Sequence, residues 1–254
     1  EPDYARWRLH SRRVLNPGSV GGPCFEVTLK PADALPDWQA GDIAEIGPRQ
    51  SPQSVQSLLE VLGLDAQTTV QIGDETLLLA EALSRSHLPA HEELSGQGPQ
   101  AIADALKPLP HREYSIASLP ADGSLQLLLR RMLRPDGTPG IGSGWLCDYA
   151  GIKGDIALRL RSNPNFHPPA GGQPLILVGN GTGIAGLRAH LKARATSGQK
   201  RNWLLFGERN AGRDFFFGDE IREWQSQGVL ERVDLAFSRD QPQRIYVQDK
   251  LRAA

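Results

Sequence analysis

The stretch LILVGNGTGIAGLRAHL, residues 175–191, decides the fold of the C-terminal part of the chain. It opens with a short apolar run typical of a buried strand, closes with a helical pattern, and has glycines at the junction. Residues 181–186 satisfy G-x-G-x-x-G between strand and helix, the context in which that pattern binds a dinucleotide. Glycine lets the backbone approach a phosphate, and the free N–H groups of the helix start favour the anion. The predicted diphosphate-binding residues are Gly179, Gly181, Thr182 and Gly183; a tight turn without a ligand is the alternative.

The segments that follow residue 174 alternate between strands and helices. NWLLFGE (202–208) and VLERVDLAFS (229–238) have strand character, and 183–195 and 214–227 have helical character. Such alternation predicts a parallel α/β domain.

The first two-thirds of the chain has a different pattern. It predicts an antiparallel β-barrel with a helical insertion at about 50–106. The segment NPNFHPPAGGQP (163–174) has the proline and glycine content of a linker. We therefore predict a barrel domain over 1–168 and an α/β domain over 169–254.

The choice between NAD and NADP depends on the residues beyond the second and third strands of the α/β domain. An acidic residue about twenty positions after the glycines indicates NAD. Glu208 is near that position, but Arg209 follows it. A hydroxyl, two guanidinium groups and an aromatic ring then occur within nine residues, a group that suits a 2′-phosphate and an adenine. These residues are Ser238, Arg239, Arg244 and Tyr246, and together they favour NADP.

Charge and composition exclude several classes of function. The formal net charge is -1 and charged residues make up 22% of the chain, so nothing indicates binding to nucleic acid or to an anionic membrane. No apolar run reaches transmembrane length and no signal peptide is visible. Cys24 and Cys147 form no disulfide framework, the six histidines share no ligand spacing, and no metal site is predicted.

The motifs taken together resemble the ferredoxin–NADP reductase superfamily, and within it the diflavin reductase branch. HREYSIAS (111–118), GIGSGWL (140–146), the glycine-rich stretch, LLFGERN (204–210) and RIYVQDKL (244–251) occur in the order seen there. The resemblance implies a barrel that binds FAD and an α/β domain that binds NADP(H).

The resemblance also implies residue roles. In HREYSIAS, Arg112 would bind the FAD pyrophosphate, Tyr114 would pack on the flavin, and the Ser115 hydroxyl would lie where hydride arrives. Gly140, Gly142 and Ser143 would close around the FAD pyrophosphate. Arg188 would form the NADP pyrophosphate site together with the glycine turn, and Gly207, Glu208 and Arg209 would border the same cleft.

The chain departs from the family pattern at three places. Met132 stands where the branch often has an aromatic residue that stacks on the FAD adenine. Gly186 replaces a frequent proline. The family continues with further strands after the position of Ala254, so we expect an incomplete α/β domain whose first strand is an exposed, apolar edge.

The sequence therefore predicts an NADPH-dependent FAD flavoprotein reductase. It would pass electrons to an FMN or flavodoxin-like, haem or iron–sulfur protein, and would be cytoplasmic or the cytoplasmic portion of a longer, anchored protein. Two alternatives remain open. One is a flavin-binding interaction or assembly subunit without NADPH turnover, and the other is an NADH-dependent flavin or ferric reductase.

Overall fold

A computed structural model describes residues 3–254 of the chain. Its contacts divide the chain into two compact units. Unit 1 comprises Glu1–Glu45, Glu113–Arg131 and Ile152–Ala254, and unit 2 comprises Ile46–Arg112 and Met132–Gly151. Within residues 3–254, no helix has both the length and the apolar composition needed to cross a membrane.

The secondary structure follows the predicted order of strands and helices. The strands are β1 (Ala5–Val14), β2 (Cys24–Pro31), β3 (Ile43–Gly47), β4 (Thr69–Ile72), β5 (Glu75–Leu78), β6 (Ser86–His87), β7 (Lys107–Pro108), β8 (Arg112–Ser115), β9 (Leu125–Arg130), β10 (Asp155–Arg161), β11 (Leu175–Asn180), β12 (Asn202–Glu208) and β13 (Arg232–Phe237). The helices are α1 (Pro52–Leu62), α2 (Leu79–Ser84), α3 (His91–Leu94), α4 (Pro99–Ala105), α5 (Ile141–Gly144), α6 (Ile184–Thr196), α7 (Ala211–Asp214), α8 (Gly218–Ser226) and α9 (Val247–Arg252).

Six strands form an antiparallel, barrel-like sheet in the order β8-β3-β10-β1-β2-β9. Alternate residues of these strands point inward, as the sequence pattern predicts, and Trp7, Leu9 and Leu29 are almost fully buried. The ladder does not close between β8 and β9. A backbone hydrogen bond connects the segment after β8 to β9: Ala117 N–H donates to the Gln126 carbonyl at 2.8 Å. The predicted barrel is thus confirmed as an open sheet that curls almost to closure.

The helical insertion begins at α1. The sequence predicts this helix from the start signal Ser51-Pro52, the stop signal Gly63 and the helical spacing of the apolar residues between them. Ser51 Oγ accepts a hydrogen bond from Ser54 N–H, and Gly63 ends the helix with φ +63°. One feature escaped the sequence pattern: β4 and β5 form a hairpin that turns at Gly73, with φ +56°. Each of its strands has four residues, too few to show an alternation. A small core of its own supports the insertion, built from Val55, Leu59, Leu79, Leu83 and Ile102.

The α/β part consists of a parallel sheet in the order β11-β12-β13, as predicted. Phe206 lies at the centre of its core, and its ring centroid is 6.0, 6.5 and 6.3 Å from those of Phe215, Phe216 and Phe237. Strand β11 is an edge of this sheet, and its Ile176 and Val178 are 59% and 47% exposed. The expected exposed apolar edge is therefore present among the described residues.

The proline-rich segment that the sequence predicts as a linker is fixed to the barrel by one carboxylate. Asp42 accepts hydrogen bonds from Gln39 N–H (3.0 Å), Asn163 N–H (3.0 Å) and His167 Nε2 (2.6 Å). Burial alone raises the pKa of Asp42, but these hydrogen bonds outweigh burial and hold the pKa below its ordinary value. The domain boundary at 168/169 stays a prediction, since both flanking segments belong to unit 1.

Gly41 allows this attachment. Its φ is +98°, and a β-carbon on it would overlap the carbonyl oxygen of Phe166, a backbone atom that cannot move aside cheaply. The Gly41 carbonyl also accepts a hydrogen bond from Asn163 Nδ2 at 3.0 Å.

We expect Gly41→Ala to lower the free energy of unfolding by about 2–5 kcal/mol, because it combines an unfavourable φ with a backbone overlap. Urea unfolding of the purified protein measures the change. Gly198→Ala is the matched control: its φ is +70° and its β-carbon would meet no atom within 4 Å, so it should cost about 1 kcal/mol. Equal losses in the two variants would contradict the role of the Phe166 carbonyl.

Candidate functional site

A cleft of about 510 Å³ lies in unit 1, where the carboxyl ends of the three parallel strands meet. In open α/β sheets this edge is the usual place for a ligand. The residues that line it are Arg130, Asn180, Gly181, Thr182, Gly207, Glu208, Arg209, Ala236, Ser238, Tyr246 and Gln248. The structure thus brings together five residues that the sequence predicts for NADP: Gly181, Thr182, Arg209, Ser238 and Tyr246.

The glycine turn forms one wall of the cleft. Residues Gly181–Gly183 make a single 3-10 turn, and α6 follows with thirteen residues. Gly181 has φ +55°, and a β-carbon at Gly179 would lie 2.8 Å from Leu187 Cδ1. Gly181 therefore favours glycine for its backbone conformation, and a side chain at Gly179 would have to displace the end of Leu187. The free N–H groups of the first helical turn are left to bind an anion.

The opposite wall comes from the loop after β13. Ser238 N–H donates to the Glu208 carbonyl at 2.9 Å, and Arg239 N–H donates to the Arg209 carbonyl at 2.8 Å. These two hydrogen bonds hold Ser238 at the cleft. Arg239 and Arg244 are exposed and are not among the residues that line the cleft. Tyr246 begins α9 and is 41% exposed, so its ring offers a face to a ligand.

Ser115, at the end of β8, lies against the first turn of α6. A β-carbon at Gly186 would meet Ser115 Cβ at 3.5 Å, Ser115 Oγ at 3.6 Å and Phe166 Cε1 at 3.1 Å. The Ser115 hydroxyl is exposed there. Tyr114, also in unit 1, is half-buried. The predicted catalytic serine is therefore next to the helix that starts at the glycine turn.

Arg188 follows on the same helix and is buried. Its guanidinium donates to both carboxylate oxygens of Glu220 (2.7 and 3.0 Å) and to the Ala117 carbonyl (3.1 Å). It also stacks over the Phe217 ring at 4.3 Å. These contacts bind α6 to the barrel, so the pyrophosphate role that the resemblance implies for Arg188 stays a prediction.

Four of the residues predicted for FAD belong to unit 2. The Ser143 hydroxyl accepts a hydrogen bond from Met132 N–H at 3.0 Å, and Gly140 N–H donates to the Met132 carbonyl at 2.8 Å. Arg112 is half-buried and donates to the His111 carbonyl at 3.1 Å. Gly142 is buried in the short helix α5. The Ser143 hydroxyl keeps its proton for another acceptor, and Met132 itself is 58% exposed.

Comparison with known proteins agrees with this architecture. Residues 177–254 match the family model of the oxidoreductase NAD-binding domain. The sulfite reductase [NADPH] flavoprotein alpha-component of Salmonella typhi is 33% identical over 85% of this chain and 44% of its own length. The protein of the same name from Yersinia pestis (strain Antiqua) is 35% identical over 85% of this chain and 39% of its own length. The chain belongs to the ferredoxin–NADP reductase superfamily. It spans less than half the length of these relatives.

Within this superfamily fold, the cleft contains two charged side chains that the sequence did not indicate as a pair. Arg130, at the end of β9, forms an ion pair with Glu208, at the end of β12. Arg130 Nη1 also donates to the Gly22 carbonyl at 2.7 Å. In the sequence, Arg130 is recognisable only as a cation at the end of an apolar strand. Its partner Glu208 is 78 residues away along the chain, so the pair has no local pattern. Asn180 and Gln248 also line the cleft; they lie within the quoted stretches 175–191 and 244–251, but no role was assigned to their side chains.

Cys24 lies below this ion pair and is fully buried. Burial raises the pKa of its thiol to about 12, while the nearby Arg130 acts in the opposite direction with a smaller effect. The thiol therefore stays protonated at neutral pH, and Cys24 is a small apolar side chain of the core.

Proposed function

We propose that the chain is the NADPH-oxidising, FAD-binding reductase module of a flavoprotein. The observation that carries the proposal is the position of Ser115 against the first turn of α6, the helix whose start forms the wall of the nucleotide cleft. A dinucleotide bound by its diphosphate at the glycine turn has its second half free to reach toward Ser115. The kinship with proteins named as NADPH flavoproteins supports the same activity.

Different residues of the chain bind the diphosphate, the 2′-phosphate and the adenine of NADPH. The N–H groups after Gly181 and the helix dipole of α6 bind the diphosphate. The Ser238 hydroxyl and the guanidinium groups of Arg239 and Arg244 bind the 2′-phosphate. Tyr246 packs on the adenine through its exposed face.

The residues of unit 2 fit a second diphosphate by the chemistry of their donors. Arg112 supplies a guanidinium, Ser143 a hydroxyl proton, and Gly140 and Gly142 a backbone without side chains at a helix start. A diphosphate needs several N–H and O–H donors of this kind. Tyr114 offers an aromatic face for the flavin. FAD, when bound, supplies a ring that accepts hydride from NADPH and releases the electrons one at a time.

Ser115 is the catalytic residue that we propose. Its hydroxyl would donate a hydrogen bond where charge develops on the flavin edge, and it would hold the nicotinamide in register. The electron acceptor is proposed to be an FMN or flavodoxin-like, haem or iron–sulfur protein. The relatives' name, alpha-component of a sulfite reductase, supports a separate acceptor component.

The deciding experiment is an absorbance spectrum of the purified protein, followed by anaerobic titration with NADPH. We expect a yellow protein whose flavin absorbance disappears with one equivalent of NADPH. A yellow protein that NADPH does not bleach would favour the flavin-binding interaction or assembly subunit. A colourless protein that retains no added FAD would contradict the proposal altogether.

Ser115→Ala should lower the rate of hydride transfer from NADPH by about 10- to 100-fold, since it removes one hydrogen bond made in the transition state. Stopped-flow absorbance measures the rate, and FAD content and NADP⁺ affinity should stay as in the parent protein. Ser11→Ala, an exposed serine on β1, is the control. An unchanged rate in Ser115→Ala would refute the catalytic role.

Arg239→Ala should raise the KM for NADPH by about 10- to 100-fold and leave the KM for NADH nearly unchanged, because only NADPH has the 2′-phosphate. Steady-state rates with both nucleotides give the ratio. Arg222→Ala removes an exposed arginine that pairs with Asp219 and is the matched control. A parent protein that already prefers NADH would support the NADH-dependent flavin or ferric reductase instead.

A further inference from the structure

The barrel places a cation in the nucleotide cleft. Arg130 ends β9, a strand of the barrel, yet its guanidinium lines the cleft of the α/β part. The side chain is 21% exposed and is held from two sides, by the Gly22 carbonyl and by Glu208. A β-carbon at Gly181 would lie 3.8 Å from Arg130 Nη2, so the guanidinium is next to the glycine turn.

The carboxylate of Glu208 lies beside the glycine turn, where its negative charge would oppose the binding of a diphosphate. Its side chain is only 6% exposed, and its Oε1 would be 3.3 Å from a β-carbon at Gly181. Its Oε2 accepts a hydrogen bond from Arg209 N–H at 2.6 Å, so the backbone fixes its place. A buried carboxylate at this distance repels a diphosphate unless a cation lies between or beside them.

Gly21, in the turn between β1 and β2, leaves space for the guanidinium groups of Arg130 and Arg209. A β-carbon at Gly21 would overlap Arg209 Nη1 and would lie 3.0 Å from Arg130 Nη1. Two guanidinium groups, one from the barrel and one from the α/β part, therefore converge over this glycine. The same turn supplies the Gly22 carbonyl that Arg130 binds.

We propose that Arg130 is a nucleotide-binding residue that contacts the 5′-diphosphate, and that Gly21 is the position that allows Arg130 and Arg209 to reach it. This inference rests on the proposed function, because it takes NADP(H) as the ligand of the cleft. Arg130 has donor groups to spare: a guanidinium has five N–H donors, so it can pair with Glu208 and a phosphate at once. Binding of the nucleotide then depends on the barrel turn as well as on the α/β part.

The test measures the dissociation constants of NADP⁺ and of adenosine 2′-monophosphate, which has the 2′-phosphate but no diphosphate. Calorimetry on the FAD-loaded protein gives both constants. Arg130→Leu should raise the Kd of NADP⁺ by about 10- to 100-fold, the usual effect of one lost charged hydrogen bond. The Kd of adenosine 2′-monophosphate should change less than threefold, and Arg130→Lys should lie between the parent and the leucine variant.

Arg8→Leu is the control for a change of charge alone. Arg8 is an arginine of β1 that is 57% exposed, and its Nε lies 3.9 Å from Asp155 Oδ1. The double variant Arg130→Leu, Glu208→Gln separates contact from neutralisation. Partial recovery of NADP⁺ affinity supports the proposal, whereas full recovery would mean that Arg130 only neutralises Glu208 and would overturn it.

Gly21→Ala fills the space next to the two guanidinium groups without removing a charge. We expect it to weaken NADP⁺ binding by about 3- to 10-fold, because Arg209 and Arg130 must move, with little change in stability since side-chain ends can shift. Gly172→Ala is the matched control, because its β-carbon would meet no atom within 4 Å.

Equal NADP⁺ affinities in Arg130→Leu, Gly21→Ala and the parent protein would overturn the inference. That result is distinct from failure of the proposed function, in which the parent protein itself would neither bind NADP⁺ nor be bleached by NADPH.

Discussion

The approach of helix α6 to the barrel is the constraint on which the rest of unit 1 depends. Gly186 has no side chain, and Ser115 and Phe166 occupy the space in front of it. Two residues further along, Arg188 donates a hydrogen bond to the Ala117 carbonyl of the barrel. A buried guanidinium is unfavourable unless its donors are satisfied, and here Glu220 and the Phe217 ring complete its environment. The contact therefore fixes both the distance and the orientation of the helix start relative to the barrel strand.

This constraint also explains the composition of the cleft. A helix start that is fixed in place can bind an anion without moving, so its N–H groups need no reorganisation when a diphosphate arrives. A rigid site cannot move a neighbouring charge away from the ligand, so each such charge affects the binding energy. The buried Glu208 would be such a charge. The structure pairs it with Arg130, and the Arg209 guanidinium lies with that of Arg130 over Gly21. The net positive charge of these three side chains favours an anionic ligand.

The features that the sequence predicted are those that depend on neighbours in the chain. The strand, turn and helix around Gly181, the caps of α1 at Ser51 and Gly63, and the group from Ser238 to Tyr246 all lie within short stretches. Short-range patterns report backbone conformation and local chemistry, so they could be recognised directly. The ion pair between Arg130 and Glu208 could not, because neither residue carries a local signal of its partner. The hairpin of β4 and β5 was missed because four-residue strands are too short to show a period.

The proline-rich segment shows why composition alone misjudges a connection. Residues 163–174 have the content of a flexible linker, yet Asn163 and His167 are both bound to the carboxylate of Asp42. Prolines restrict the chain before any contact forms, so less conformational entropy is lost when Asp42 binds the segment. Phe166 then packs edge-on against His190 of α6 at 4.8 Å, and burial lowers the pKa of that histidine, which favours its neutral form. The segment therefore contacts the barrel at Asp42 and helix α6 at His190. It contributes to the same approach of α6 to the barrel that places Ser115 beside this helix.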